Sequence, residues 1–275
     1  MYDFSYSNLK EIKKNPEHYL IFIKRLLPRW ANGIPDSECI AIFRVLRSLR
    51  NKTKNKKLTL VETGSGASTL ALFLYCALYG GKFYTWDTNP NKGSFLRSVL
   101  SESMGKTLKI DVNSIWEFIA FDSVDPHIGI NILKEKKIKV DFCFFDSWHT
   151  LEHLMKEIKE VEKCLSNNFV LAFDDAYYQK KKFNFSYINM LRSKLNLKKI
   201  KEPKNNKCLP FYLEIQKYLK SKYKSVYLFK DSYKKDFKND IFFKYYEADR
   251  LFMNKMGMEE KKKLAHRFDA FFVKK

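Results

Sequence analysis

The strongest constraint on the fold is a regular alternation of strand-like and helix-like segments between residues 58 and 173. Each strand-like run is short and apolar, and each is followed by a longer segment whose apolar residues have helical spacing. Strands and helices that alternate through short connections are typical of a parallel sheet with right-handed crossovers. The predicted strands are 58–62, 83–87, 117–121, 139–145 and 169–173, and the predicted helices are about 67–79, 92–104, 127–136 and 150–165.

Two of these strands are apolar at consecutive positions, VDFCFF at 140–145 and FVLAF at 169–173. This composition is typical of strands that helices cover on both faces, because no side of the strand then meets water. The sequence therefore predicts an α/β fold, with a Rossmann-like, doubly wound, mostly parallel sheet and helices on both faces.

Residues 1–57 precede the alternation and are predicted to form an N-terminal helical addition. An apolar stripe predicts a helix over 8–28, and a second helix is expected near IPDSECIAIFRVLRSLR, with Asp36 or Ser37 as its cap.

Residues 58–275 contain no linker rich in Pro, Gly or Ser, so we expect one α/β domain with a basic C-terminal elaboration. Within that elaboration, late strands are predicted at 225–230 and 240–249, followed by a helical tail from about residue 250.

The formal net charge of +21 is unevenly distributed along the chain. Residues 1–175 carry 25 Lys and Arg against 21 Asp and Glu, whereas residues 176–275 carry 27 against 10. Such asymmetry can mark an acidic partner, although lysines scattered over solvated faces bind nothing. We expect weak, nonspecific nucleic-acid binding at most.

The remaining composition favours a cytoplasmic globular protein. No uncharged apolar run reaches about 18 residues, so no membrane span is expected. The N-terminal stretch lacks an apolar signal core, and the five cysteines have no CxxC spacing that would indicate a zinc site. The oligomeric state cannot be read from the sequence.

The stretch VETGSGAST at 61–69 connects the first predicted strand to the first predicted helix of the alternation. Ligands of open parallel sheets bind beyond the carboxyl ends of the strands, where such turns lie. Gly64 and Gly66 allow a tight turn and a close approach of the backbone to a ligand. Asp87 ends the next strand, where a carboxylate can accept both hydroxyls of a ribose. Together these features predict a ribonucleoside site.

Glu62 distinguishes between two cofactors for that site. A dinucleotide site uses GxGxxG, but Thr69 occupies the third glycine position here. A carboxylate at Glu62 is a poor neighbour for a pyrophosphate and a good one for an amino group or a sulfonium. The turn therefore favours S-adenosylmethionine over a nicotinamide dinucleotide.

Five segments occur in the order of a class I S-adenosylmethionine-dependent methyltransferase: VETGSGAST, WDTNPNK, FDSVD, DFCFFDSWH and FVLAFDDAYY. Over roughly residues 55–180 the chain resembles the O-methyltransferase-like branch, which includes catechol-type enzymes and sugar and antibiotic-cluster enzymes. The resemblance implies methyl transfer to a hydroxyl of a sugar or other small metabolite.

The same resemblance assigns the cofactor contacts. It places the methionine part of S-adenosylmethionine against the first motif, the ribose against Asp87, and the adenine between residues that follow the third strand. Ser68 stands where a third glycine is frequent in the family. The expected cofactor-binding residues are Glu62, Gly64, Ser65, Gly66, Ser68, Asp87, Asp122, Ser123 and Asp146.

Three carboxylates follow the fourth and fifth predicted strands. Asp146 ends one strand, and Asp174 and Asp175 end the next. Since neighbouring strands lie about 5 Å apart, these acids can converge, and they would repel one another without a cation between them. Oxygen ligands suit Mg²⁺ or another hard divalent cation, which the resembling catechol-type enzymes also bind. The alternative is that these acids contact only the backbone or the cofactor.

His149 resembles in position the general base of catechol-type enzymes, and its intrinsic pKa suits removal of a hydroxyl proton near neutral pH. His149 and Asp146 are therefore the expected catalytic residues, with His153 a weaker candidate one helical turn later. The aromatic side chains that follow the fifth strand, Tyr177, Tyr178, Phe183 and Phe185, are candidates for the wall of a pocket for a small-molecule or saccharide acceptor.

Two other functions stay open. The basic C-terminal part would suit methylation of an RNA ribose, whereas DSWHT lacks the proline of the motif used for methylation of base amino groups. A non-catalytic protein that retains the nucleoside pocket and binds acidic partners through its basic face is the other alternative.

Overall fold

The computed structural model describes residues 9–54, 56–148, 150–174, 185–201, 203, 211–229 and 268–275. The helices within these ranges are α1 (Leu9–Lys14), α2 (Pro16–Lys24), α3 (Asp36–Lys52), α4 (Ala67–Tyr79), α5 (Pro90–Leu100), α6 (Lys106–Leu108), α7 (Val112–Ile115), α8 (Asn131–Glu135), α9 (Leu151–Glu162), α10 (Phe185–Lys194) and α11 (Phe211–Lys222). The strands are β1 (Leu58–Thr63), β2 (Gly81–Trp86), β3 (Trp116–Ile119), β4 (Val140–Phe145), β5 (Leu165–Phe173), β6 (Ser225–Phe229) and β7 (Asp269–Lys274).

All seven strands form one sheet in the order β3-β2-β1-β4-β5-β7-β6. The strands β1 to β5 are mutually parallel, and β7 runs antiparallel to both β5 and β6. Chain progression reverses between β1 and β4, which creates the crevice where open α/β sheets bind ligands. The predicted Rossmann-like, mostly parallel sheet with an N-terminal helical addition is therefore confirmed.

Helices cover both faces of the sheet because successive side chains of its strands point to opposite faces, and those on each face are apolar. In β4, Phe142 and Phe144 pack into the core beneath α3 and α4, whereas Cys143 and Phe145 pack into the core beneath α9 and α11. Side chains from α2 and α3 belong to the first of these cores, so the N-terminal helices pack on the sheet directly. The division of the chain between residues 57 and 58 stays a prediction.

The N-terminal helices differ in detail from those predicted. The single helix expected over 8–28 is divided at Asn15, because Pro16 begins α2 and cannot continue the hydrogen bonding of α1. The expected caps of α3 are also wrong, since the cap is Pro35 and α3 begins at Asp36. The Asp36 carboxylate instead accepts hydrogen bonds from Lys24 and Arg25.

The C-terminal residues correct a second expectation. The helical tail predicted from about residue 250 is wrong for Asp269–Lys274, which form β7 with side chains buried on both faces. Strand β6 matches the strand predicted at 225–230. The strand predicted at 240–249 and most of the basic C-terminal part lie outside the described residues. No helix among the described residues has the length and hydropathy to cross a bilayer.

Candidate active site

A cavity of about 330 Å³ opens at the carboxyl ends of the first four strands, at the reversal of strand order. Its wall includes Gly64 after β1, Asp87 after β2, Asp122 and Ser123 after β3, and Asp146 after β4. The structure thus brings together residues from four separate motifs that the sequence predicted to meet.

The turn after β1 depends on the missing side chain of Gly64. Gly64 has φ +80°, and a Cβ atom there would lie 2.0 Å from the backbone oxygen of Asp146. The Gly64 amide donates to the Trp86 carbonyl at 2.8 Å, and the Asp146 amide donates to the Thr63 carbonyl at 2.8 Å. These contacts hold the ends of β1, β2 and β4 together around the cavity.

Asp87 is the most heavily hydrogen-bonded group of the cavity wall. Its Oδ2 accepts from the Ser65 amide at 2.8 Å, the Ser65 hydroxyl at 2.6 Å and Lys92 Nζ at 3.1 Å. Its Oδ1 accepts from the Asn89 amide at 2.9 Å. Burial disfavours the charged carboxylate, but the hydrogen bonds from Ser65 and Asn89 and the charge of Lys92 outweigh it and lower the pKa of Asp87.

These four donors have a consequence for ligand binding. A carboxylate offers about four acceptor positions, and Asp87 uses as many within the protein. A ribose diol that bonds to Asp87 through both hydroxyls must therefore displace at least one donor. The Ser65 hydroxyl and the Lys92 ammonium are side-chain groups that can rotate away, whereas the two backbone amides are fixed by the turn.

Glu62 lies beneath the turn after β1 that contains Gly64 and Gly66, which we call the glycine turn, and it has no exposed surface. Its Oε1 accepts from the Ser68 hydroxyl, and its Oε2 accepts from the Thr69 hydroxyl at 2.9 Å and the Thr85 hydroxyl at 3.0 Å. Thr69 Oγ1 in turn accepts from the Gly66 amide at 3.0 Å. The carboxylate thereby joins β1 to the first turn of α4 and to β2.

This arrangement differs from the direct cofactor contact expected of Glu62 and Ser68, because neither residue lies on the cavity wall. Burial raises the pKa of Glu62 to about 7, and the hydrogen bonds from the three hydroxyls act in the opposite direction. Within the described residues, Glu62 shapes the turn from behind and does not face the cavity.

A second buried carboxylate, Glu157 of α9, supports the other side of the cavity. Its Oε1 accepts from the Ser123 hydroxyl at 2.5 Å and from the Ser147 hydroxyl at 2.7 Å. His153 Nε2, one helical turn earlier, lies 3.4 Å from the same oxygen. The neighbouring Glu157 carboxylate raises the pKa of His153, although burial of the ring opposes it. The ring lines the cavity and lies 3.9 Å from Asp122.

Sequence reasoning missed Glu157. Its only local signal is the spacing of four residues from His153, which places both side chains on one face of α9. The Oε2 atom of Glu157 is buried and has no hydrogen-bond partner among the described residues.

Two aromatic side chains form exposed parts of the cavity wall. Trp148 is 67% exposed and Phe121 is 51% exposed. Of the aromatic residues expected to form an acceptor wall, Tyr177, Tyr178 and Phe183 lie outside the described residues, and Phe185 begins α10.

The predicted metal ligands are only partly described. Phe145 and Phe173 pair directly in the sheet, so Asp146 and Asp174 leave it at the same level. Asp146 lines the cavity, whereas Asp174 is 8% exposed and is not part of its wall. Asp175 and the expected base His149 lie outside the described residues. Within those that are described, no three His, Cys, Asp or Glu side chains gather to hold a metal.

Known proteins resemble this chain in both sequence and fold. Residues 61–176 match a family model described as a methyltransferase domain. No curated protein sequence matches the chain.

Two solved structures align with nearly the whole length of this chain. An O-methyltransferase from Bacillus cereus, in complex with SAH, has 11% identity and a TM-score of 0.51, covering 97% of this chain and 96% of that one. A provisionally named caffeoyl-CoA O-methyltransferase from Staphylococcus aureus has 10% identity and a TM-score of 0.51, covering 97% and 98%. Residues 61–176 thus match a methyltransferase domain, and the chain has the fold of these two O-methyltransferases.

Proposed function

We propose that this protein transfers a methyl group from S-adenosylmethionine to a hydroxyl oxygen of a sugar or other small metabolite. The observation that carries the proposal is the placement of Asp87 in a cavity bounded by the glycine turn and by Asp146. A ribose-binding acid, a close-approach turn and a carboxylate at the next strand end are the parts that this reaction requires.

The cofactor residues divide into those that contact the ligand and those that support them. Asp87 faces the ribose, and Asp122 and Ser123 flank the adenine. Ser65 donates to Asp87 through its amide and its hydroxyl and supports that carboxylate. Gly64 lets the backbone approach the methionine part. Glu62 and Ser68 hold the turn in place from beneath, and Glu157 holds Ser123 and Ser147.

S-adenosylmethionine would supply an electrophilic methyl group on a cationic sulfur, and that sulfur would keep the electron pair of the bond to the transferred methyl group. The chain must therefore align the acceptor oxygen with the methyl carbon and remove the hydroxyl proton. Asp146, on the cavity wall after β4, is the described residue at the right strand end to orient the hydroxyl. His149, three residues later, is our proposed acceptor of the proton.

Assistance by Mg²⁺ or another divalent cation stays a prediction, resting on Asp146, Asp174 and Asp175. Among the described residues, no three such side chains gather at one place. Dialysis against a chelator tests the prediction: loss of activity that Mg²⁺ restores supports it, and full activity in excess chelator contradicts it.

The exposed rings of Trp148 and Phe121 support a small acceptor. Aromatic faces at a cavity wall can stack on the apolar face of a sugar ring or on another aromatic ring. Trp148 follows Asp146 by two residues, so an acceptor stacked on it would lie beside the proposed catalytic acid.

Formation of S-adenosylhomocysteine in the presence of acceptors tests the proposal. We would incubate the protein with S-adenosylmethionine and separate pools of nucleotide sugars, simple glycosides, catechols and RNA. Product is expected with a hydroxyl-bearing small molecule, and Asp146→Ala should abolish it without abolishing cofactor binding. Methylation of RNA alone would favour the ribose alternative, and cofactor binding without turnover on any pool would favour a non-catalytic pocket.

A further inference from the structure

A second cavity, of about 610 Å³, lies at the amino-terminal ends of the parallel strands, whereas the candidate active site lies at their carboxyl ends. Its wall is built from residues just before β1 and β4, from the start of β5, and from Lys275 after β7. The six residues of β1 span about 20 Å from this end of the sheet to the glycine turn. The second cavity is therefore separate from the proposed cofactor and acceptor sites.

Five lysines contribute to the wall of this cavity, which we call the lysine cavity: Lys52, Lys54, Lys56, Lys139 and Lys275. The wall contains one acid among the described residues, Asp141. Asp141 is 1% exposed, and its two oxygens accept from Lys56 Nζ at 2.9 Å and the Thr59 amide at 2.9 Å. Among the described side chains, the protein therefore neutralises one of the five cations with a carboxylate and leaves four without a carboxylate side chain as partner.

Three of the five ammonium groups are held in position by the protein. Lys56 is paired with Asp141, the Lys52 ammonium lies 4.0 Å from the ring centre of Phe272, and Lys275 Nζ donates to the Leu165 carbonyl at 2.8 Å. Lys54 and Lys139 make no ion pair with any described residue and are exposed. The lysine cavity thus combines fixed cations with two free ones that can close on a ligand.

Like charges gathered around a concavity repel one another more than the same charges spread over a convex surface. Burial, followed by the positive charge of Lys139, lowers the pKa of Lys275. A bound anion would remove this cost. Polar groups from Thr53, Ser166 and Asn167 complete the wall with further hydrogen-bonding capacity.

We propose that the lysine cavity is a binding site for a small anion that carries two or more linked phosphate groups. A single phosphate could meet only some of the four unneutralised cations, whereas a chain of phosphates can contact several across a cavity of this volume. Lysine ammonium groups bind phosphate oxygens as point charges and need no fixed geometry. The lysines surround one concavity at the starts of β1, β4 and β5, which favours a compact ligand over the extended backbone of a nucleic acid.

Isothermal titration of the full-length protein with inorganic tripolyphosphate at about 150 mM salt tests the proposal. The test variant combines Lys54→Ala and Lys139→Ala, which remove the two free cations. The matched control combines Lys134→Ala and Lys159→Ala, two exposed lysines outside the cavity that remove the same charge. Circular dichroism melting confirms that each variant folds.

We expect saturable binding of one tripolyphosphate per chain, at least tenfold weaker in the test variant and unchanged in the control. Binding should also take up protons at alkaline pH, because a bound anion raises the pKa of Lys275, and the measured heat should then depend on the buffer. Affinity for S-adenosylhomocysteine should be the same in both variants, since the candidate active site lies at the carboxyl ends of the strands. Equal weakening in both variants, absence of saturation, or tighter binding of an RNA oligonucleotide than of tripolyphosphate would each overturn the proposal.

Discussion

The Ser123 hydroxyl donates a 2.5 Å hydrogen bond to Oε1 of Glu157, a carboxylate with no exposed surface. The Ser147 hydroxyl donates to the same oxygen at 2.7 Å. One acid on α9 therefore fixes the loop after β3 to the loop after β4, and both loops form the cavity wall. Its burial and position indicate a positioning role for Glu157, since it shapes the wall without belonging to it.

Glu157→Gln should weaken binding of S-adenosylhomocysteine by about tenfold, because a neutral amide oxygen is a weaker acceptor for the Ser123 and Ser147 hydroxyls than the charged carboxylate is. The same change should lower the pKa of His153, whose ring loses the carboxylate 3.4 Å away. Calorimetry and an NMR titration of the histidine ring measure the two effects. Glu102→Gln, at an exposed residue that pairs with Lys106 away from α9, is the control and should change neither. An unaltered His153 pKa in Glu157→Gln would contradict the assigned contact.

Glu62→Gln should change how stability depends on pH. The pKa of Glu62 is about 7 in the folded protein against 4.5 for an ordinary glutamate, because burial disfavours its charge. The folded protein thus retains a proton that the unfolded chain releases, so stability falls as pH rises between about 4.5 and 7. Glutamine has no such proton.

Urea unfolding at pH 5.5 and pH 8 measures this difference. The wild-type free energy of unfolding should decrease relative to that of Glu62→Gln as the pH rises, since all other titrating groups are common to both proteins. Parallel pH profiles would show that Glu62 is already ionised throughout this range.

Gly64→Ala should destabilise the protein by about 2 kcal/mol or more, since the new Cβ would lie 2.0 Å from the Asp146 carbonyl and the residue has φ +80°. Gly33→Ala is the matched control, because a Cβ at Gly33 meets no atom within 4 Å. Urea unfolding should place Gly33→Ala within about 0.5 kcal/mol of wild type. A similar small change for Gly64→Ala would mean that the turn adjusts easily, and would remove the argument for a fixed close approach.

Local patterns in the sequence were sufficient to predict the parallel core. The apolar runs of β4 and β5 and the glycine turn are contiguous signals. Asp87 was predicted to stand at the carboxyl end of a strand because an apolar run precedes it. Strand β7 was missed because it pairs with β5 about a hundred residues earlier, a contact that no local period reveals.

The two buried acids show a different limit of sequence reasoning. Glu62 was correctly placed next to the glycine turn, but the partners of its carboxylate depend on Ser68, Thr69 and Thr85 meeting in the fold. Glu157 lies on a helix rich in charged residues, where an acid ordinarily faces water. Its burial follows from packing of α9 against the loops, and the sequence alone does not contain that information.

Binding of S-adenosylhomocysteine to wild type and to Asp87→Asn, measured by calorimetry, tests the central claim most directly. Asp87 is the acid of the cavity wall that follows β2, and its replacement by an amide removes the charge and one acceptor oxygen from the proposed ribose contact. We expect wild type to bind one molecule per chain, Asp87→Asn to bind at least about tenfold more weakly, and the exposed cap substitution Asp111→Asn to bind as wild type does. Absence of binding to wild type at millimolar ligand, or equal affinity in Asp87→Asn, would contradict the proposed cofactor site.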